Sequence, residues 1–267
     1  DAAITMIEDG EILFAGHSER YSGVKNDSDL NSALFADCYR LGGKPDKVVY
    51  FERPYLKKLR QLRAGQYGEV LSYKNTPSYY LRDYIGNAKV EYVQHHQSHA
   101  AAGYFTSPYE ESAIVIIDAM GEWETCSIWY AYGSHFEKRY SLKYPNSLGL
   151  WYSAMTQRLG LKPQEDEYIL MGMAGWGTQD HKLKNSIRED FFEDSPLPIQ
   201  LKDNLHRGCL DWNPEYYPDD DSDDWKFNIA ANVQWICEEE IRKVFSLAKR
   251  LVPETNNCVY MGGVALN

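Results

Sequence analysis

The sequence predicts an α/β protein built as two halves, and three observations predict it. The run "SAIVIIDAMGEW", starting at Ser112, is apolar at consecutive positions, the pattern of a central strand covered on both faces. The strand pattern of the N-terminal part restarts at that point, so the chain reads as an approximate duplication, each half opening with a β-meander. The segment "FNIAANVQWICEEEIRKVFSLAKRLV" has apolar residues at 229, 233, 236, 237, 241, 244, 245 and 248, a 3.6-residue stripe that marks a long core-facing helix. This order differs from a simple β-α-β alternation. It predicts a first lobe over 1–111 and a second over 112–267, with ligand bound in the cleft between them.

The elements follow in order. "AAITMIEDGEILFAGHSER" is two β-rich runs joined by Asp9-Gly10, a strong hairpin signal. A helix is expected from about Ser28 to Leu41, capped by the polar "NDSD" and ended by Gly42-Gly43. "DKVVYF" reads as a buried strand, 54–72 as a basic amphipathic helix or loop, 76–86 as helix and "KVEYV" as strand. The helix of "HHQSHAAAGYF" comes next. In the second half "TCSIWYAYG" pairs back as a hairpin and "HFEKRYSLKYP" adds a third strand. "LGLWYSAMTQRLG" is a helix closed by Gly160, "EYILMGMAGWG" a tightly packed glycine-rich loop, 190–226 irregular, and "CVYMGG" a strand entering a turn. The five Asp within 219–224 lack the glycine and distal Glu of an EF-hand and read as a solvated acidic loop.

Composition narrows the partners. A net charge of −11 argues against a nucleic-acid backbone, which needs clustered Lys and Arg. A small anion stays open, because backbone amides and a metal can hold one locally. Five cysteines without a CxxC pair fit reduced thiols and a cytoplasmic setting better than a disulfide framework. No stretch approaches the roughly 18 apolar residues of a membrane span, and no signal peptide is visible. Asp1 opens in mid-strand and Asn267 follows a glycine turn, so the sequence reads as a segment of a longer protein.

Chemistry concentrates in three histidines within five positions, His95, His96 and His99. His95 and His99 are four apart, one above the other on a helix, where two neutral imidazoles can grip one divalent ion. The alternative is a pair merely hydrogen-bonded near a helix N-terminus. Asp118 ends the apolar strand, where α/β folds collect ligands, and a lone charge there needs a partner. Two His and one carboxylate suit iron, zinc or manganese with positions left for substrate oxygens. His96 cannot share that helical face and is a candidate for an outer contact to the metal site or a substrate contact. Gly121 permits close backbone approach, Glu122 adds a polar side chain beside it, and Gly262-Gly263 can turn amides toward a phosphate.

Taken together, "ERYSGVK", "HHQSHAAAGYF", "DAMGEW", "SLGLWYSAMTQRLG", "EYILMGMAGWG" and "YMGGVALN" resemble the O-carbamoyltransferase family of nodulation-factor and antibiotic biosynthesis, in order and over nearly the whole chain. That family is similar to the tRNA threonylcarbamoyl-transferases and shares the two-lobed sugar kinase–actin-like, ribonuclease H-like duplicated fold, here incomplete at its C-terminus. The resemblance implies a C-terminal module, absent from this chain, that makes carbamoyl-adenylate from carbamoyl phosphate and ATP, with Mg²⁺ as its possible ion. The N-terminal module then transfers the carbamoyl group to a hydroxyl of a small, sugar-like acceptor. It implies a ferrous or similar ion (Zn²⁺ or Mn²⁺ being the alternatives) on His95, His99 and Asp118, with a further aspartate ligand beyond Asn267. It also implies adenylate contacts from Gly121, Glu122, Gly262, Gly263 and Asn267, while His96 and Glu122 are the candidates for the base. The sequence departs from the family at Ile169, where many members carry Lys, and at Ala119, where Gly is common. Asp1 lacks the residues of the family's usual opening, and the fragment alone is expected to be inactive. The rival readings are a tRNA threonylcarbamoyl transferase, which would want a positive surface; a metalloprotease, which would want a Glu on the histidine helix; and an inert nucleotide-binding module.

Overall fold

The computed structural model describes residues 2–63, 67–71, 76–220 and 222–267. Residues 64–66 and 72 of the basic stretch and Asp221 of the acidic run lie outside these. Contacts divide the chain into two compact units, Asp1–Val93 and Gln94–Asn267. The division falls before the histidine helix, which makes its contacts with strands of the second unit; the sequence boundary after Glu111 follows the restart of the strand pattern instead.

The first unit opens with the hairpin β1 (Ala3–Glu8) and β2 (Glu11–His17). Asp9 and Gly10, at φ 50° and 88°, supply the two left-handed residues that a tight hairpin turn requires. After a short α1 (Glu19–Ser22), α2 (Ser32–Gly42) starts four residues later than expected, because Asn31 accepts Leu34 N at 2.9 Å as its cap. β3 (Lys47–Tyr50) and β4 (Lys89–Tyr92) pair in parallel, joined through α3 (Pro54–Arg63), α4 (Tyr67–Leu71), α5 (Pro77–Tyr80) and α6 (Arg82–Ile85). The expected opening meander is therefore not formed in this half: the hairpin and the β3–β4 pair are separate two-stranded sheets, with α2 between them in sequence. Nor is β3 buried on both faces, since it alternates and leaves Val49 exposed. A small core gathers Phe35, Leu81 and Ile85.

The second unit begins with α7 (His95–Phe105) and the meander β5 (Glu111–Gly121), β6 (Glu124–Tyr132) and β7 (His135–Lys143). Then come α8 (Leu148–Arg158), α9 (Glu167–Ala174), α10 (His181–Phe191), α11 (Asp223–Leu251) and β8 (Cys258–Met261), ending in a 3₁₀ turn, Gly263–Leu266. The sheet order is β7-β6-β5-β8, with β8 parallel to β5. α9 corrects the packed-loop expectation for "EYILMGMAGWG": only Gly172 falls inside the helix, while Gly175 and Gly177 follow its end. α10, unassigned from sequence, is capped by Asp180, which accepts from Lys182 N and Leu183 N.

β5 is covered on both faces, as its composition implies. Ala113, Val115 and Ile117 enter the large core with Trp151, Met155, Ile229 and Val233 from α8 and α11. Ile114 and Ile116 face the other way, against Ala100 and Tyr104 of α7. Side chains alternate along a strand, so Asp118 continues the α7-facing row.

The turn after β8 has one backbone solution. Gly262 sits at φ 96°, and a Cβ there would lie 2.3 Å from the Ile117 carbonyl oxygen. Gly262→Ala is therefore expected to lower the unfolding free energy by about 2 kcal/mol or more, the scale of backbone strain plus a clash. Urea denaturation followed by tryptophan fluorescence measures it.

Candidate metal centre

Helix α7 presents two neighbouring faces. His96, Ala100, Gly103 and Tyr104 are buried toward the sheet. His95 and His99, one step round the helix, lie one turn apart and reach the carboxyl end of β5. There the His95 Nε2 is 3.0 Å from Asp118 Oδ2, the His99 Nε2 is 3.4 Å from the same oxygen, and the two Nε2 atoms are 3.1 Å apart. Among the described residues these three form the one cluster of His, Cys, Asp and Glu with ligand atoms in mutual reach. Asp118 Oδ1 is held by Ala119 N at 2.8 Å, leaving Oδ2 to the histidines.

The donor set fits a divalent ion. Donors about 2.1 Å from one ion lie roughly 3.0 Å apart at right-angle coordination and roughly 3.4 Å apart in a tetrahedron, which brackets the three separations. In the tautomer that carries the proton on Nδ1, both Nε2 lone pairs and the Asp118 Oδ2 converge, and a cation satisfies all three together. Burial opposes the charge of Asp118, but hydrogen bonds from His95 and His99 outweigh it and hold the carboxyl well below the usual range. The site therefore keeps an anionic oxygen.

His96 is placed differently from its neighbours. It is fully enclosed, its Nδ1 2.7 Å from Ser127 Oγ, and burial pushes its pKa down to about 4, so the ring is neutral. It faces the sheet interior and not the cluster's open side. Glu122 is buried at a backbone φ of 52°, in the turn between β5 and β6. Gly121 lies against the histidines: a Cβ there would come 2.3 Å from His95 Cδ2 and 3.0 Å from His96 Cδ2. Gly263 flanks the same centre, its added Cβ 3.2 Å from Asp118 Oδ1. Asn267 instead exchanges amide hydrogen bonds with Gln234 of α11, at 2.8 and 3.1 Å. Glu124 went unnoticed in the sequence; it is buried and accepts from Gln94, Lys138 and Ser141, each at 2.6 Å. Burial opposes its charge, and Lys138 and Ser141 more than offset that and hold its carboxyl below the usual range.

Residues 47–267 match the family model described as the carbamoyltransferase N-terminus. The chain belongs to this carbamoyltransferase family. Five of the six ordered motifs lie in the matched span, and "ERYSGVK" precedes it. Over its full length the chain is 28% identical, across 306 aligned residues, to 49% of an uncharacterized protein of Synechocystis. Over 72% of its length it is 25% identical to the nodulation protein NolNO of Sinorhizobium fredii, covering 30% of that protein. A shorter stretch, 33% of the chain, is 32% identical to the nodulation protein NolO of Bradyrhizobium diazoefficiens, covering 16% of it. The chain thus spans about half or less of the length of each of these relatives.

Two further facts bear on setting. All five cysteines are free, and among the described residues no helix is long and apolar enough to cross a membrane. Because Gly121 clears the space for the His95 ring, Gly121→Ala should cost about 1–3 kcal/mol in stability through overpacking. It should also displace the His95 ring resonances in a histidine-selective NMR spectrum, leaving those of His181, which packs on Trp235, unchanged.

Proposed function

We propose that this chain is the transfer module of an O-carbamoyltransferase, acting on a hydroxyl of a small, sugar-like acceptor. The observation that carries the reading is the triangle of His95, His99 and Asp118 in a chain of the carbamoyltransferase family. The donor would be carbamoyl-adenylate, made from carbamoyl phosphate and ATP by an adenylate-forming module outside these residues. The two-lobed sugar kinase–actin-like arrangement and a cytoplasmic location belong to the same proposal.

His95 and His99 would hold a divalent ion through Nε2 and Asp118 through Oδ2, with Fe²⁺ the first candidate and Zn²⁺ or Mn²⁺ the alternatives. When bound, such an ion supplies a Lewis acid for carbonyl or phosphate oxygens. The Gly262–Gly263 backbone, packed against Ile117 and Asp118, offers the side on which an adenylate phosphate can lie. In the transfer, the acceptor oxygen bonds to the carbamoyl carbon, the carbamoyl–phosphate bond breaks, AMP leaves, and the acceptor's proton passes to a base. Both candidates for that base, His96 and Glu122, are buried; His96 is engaged by Ser127, so Glu122 is the one tested first. A tRNA threonylcarbamoyl transferase would share the metal site, but the charge of −11 favours a small acceptor.

His99→Ala in the full-length protein should remove the metal and the transfer activity together. The loss should exceed the roughly 10–100-fold typical of an outer contact to a metal site. Elemental analysis and carbamoyl phosphate-dependent AMP release are the readouts; retained iron stoichiometry would refute the assignment. Glu122→Gln should keep the metal and lower kcat by about 10²–10⁴-fold, and an unchanged kcat would remove it as the base.

A further inference from the structure

The ligand His95 lies in the chain between two residues that are both tied to the sheet. Gln94 Nε2 donates to Glu124 Oε2 at 2.6 Å, and His96 Nδ1 meets Ser127 Oγ at 2.7 Å. The other Glu124 oxygen accepts from Lys138 Nζ and Ser141 Oγ, both at 2.6 Å. The Lys138 ammonium sits 4.6 Å from the centre of the Trp129 ring, and Trp129 Nε1 donates to Ser127 Oγ at 2.8 Å. The contacts close on themselves, running from Gln94 through Glu124, Lys138, Trp129 and Ser127 to His96.

Gln94 is the N-cap residue of α7, yet its side chain caps nothing in the helix. Its amide goes to Glu124 instead, so the first turn of α7 is held from β6. A carboxylate that is only 6% exposed is costly unless donors surround it, and an apolar residue would fill a purely structural position at lower cost. We propose that Glu124 is a positioning residue for the metal centre: by gripping Gln94 it fixes the first turn of α7 and thereby the direction of the His95 Nε2. Glu124 is not a member of the His95–His99–Asp118 cluster. The inference rests on the metal reading above and adds to it a group on another strand.

The test uses Co²⁺ alone as the probe, in the full-length protein. Its affinity and visible absorption are compared for the wild type, Glu124→Ala, Gln94→Ala and the double variant. Each single variant should bind Co²⁺ about tenfold or more weakly, the usual effect of losing an outer-shell partner, with an altered absorption band. The double variant should bind no more weakly than Glu124→Ala, because removing Glu124 already removes the contact to Gln94. Gln94 is only half-buried, so its variant decides the matter should Glu124→Ala fail to fold. Wild-type affinity and spectrum in folded Glu124→Ala or Gln94→Ala would overturn the positioning role while leaving the metal site standing. A wild type that binds no Co²⁺ would overturn the metal reading and this inference with it.

Discussion

The charge on Asp118 governs the second unit more than any other group. It ends the apolar row of β5 in a place from which water is largely excluded, and a carboxylate so placed must be matched. The match comes from two imidazoles that are not its sequence neighbours. To bring them there, α7 must lie along the face of β5 that carries Ile114 and Ile116, at the register that sets His95 and His99 beside the strand's end. Gly121 and Gly263 are small because the space next to this cluster is already taken.

Much of this was readable from local patterns. Asp9-Gly10 marks its hairpin because the two positive φ angles are a local requirement. The meander of the second half and α11 follow from period-2 and period-3.6 patterns that run long enough to exclude alternatives. His95, His99 and Asp118 could be grouped because helical spacing and strand-end position are properties of short segments.

What escaped notice depends on residues far apart, or on cues that mislead. The three glycines of "EYILMGMAGWG" suggested a loop, but one interior glycine costs a helix only about 1 kcal/mol, and Leu170 buried in the core more than offsets that. α10 did carry a signal: Asp180 as cap, then Leu183, Ile187 and Phe191 spaced four apart on its buried face. Glu124 carried none, since Gln94, Lys138 and Ser141 come from other elements. The first half misled at a larger scale, for nothing in "DKVVYF" announces that its partner is "KVEYV" and not the preceding hairpin.

The place of β8 has a consequence for biogenesis. Residue 258 pairs with residue 113, with three strands' worth of meander and four helices made in between. Closing so long an interval is slow compared with forming the local meander. During synthesis the histidines and Asp118 would leave the ribosome well before the Gly262 turn that packs over Ile117. Until then β5 is an open sheet edge, the kind of surface that chaperones shield in a nascent chain.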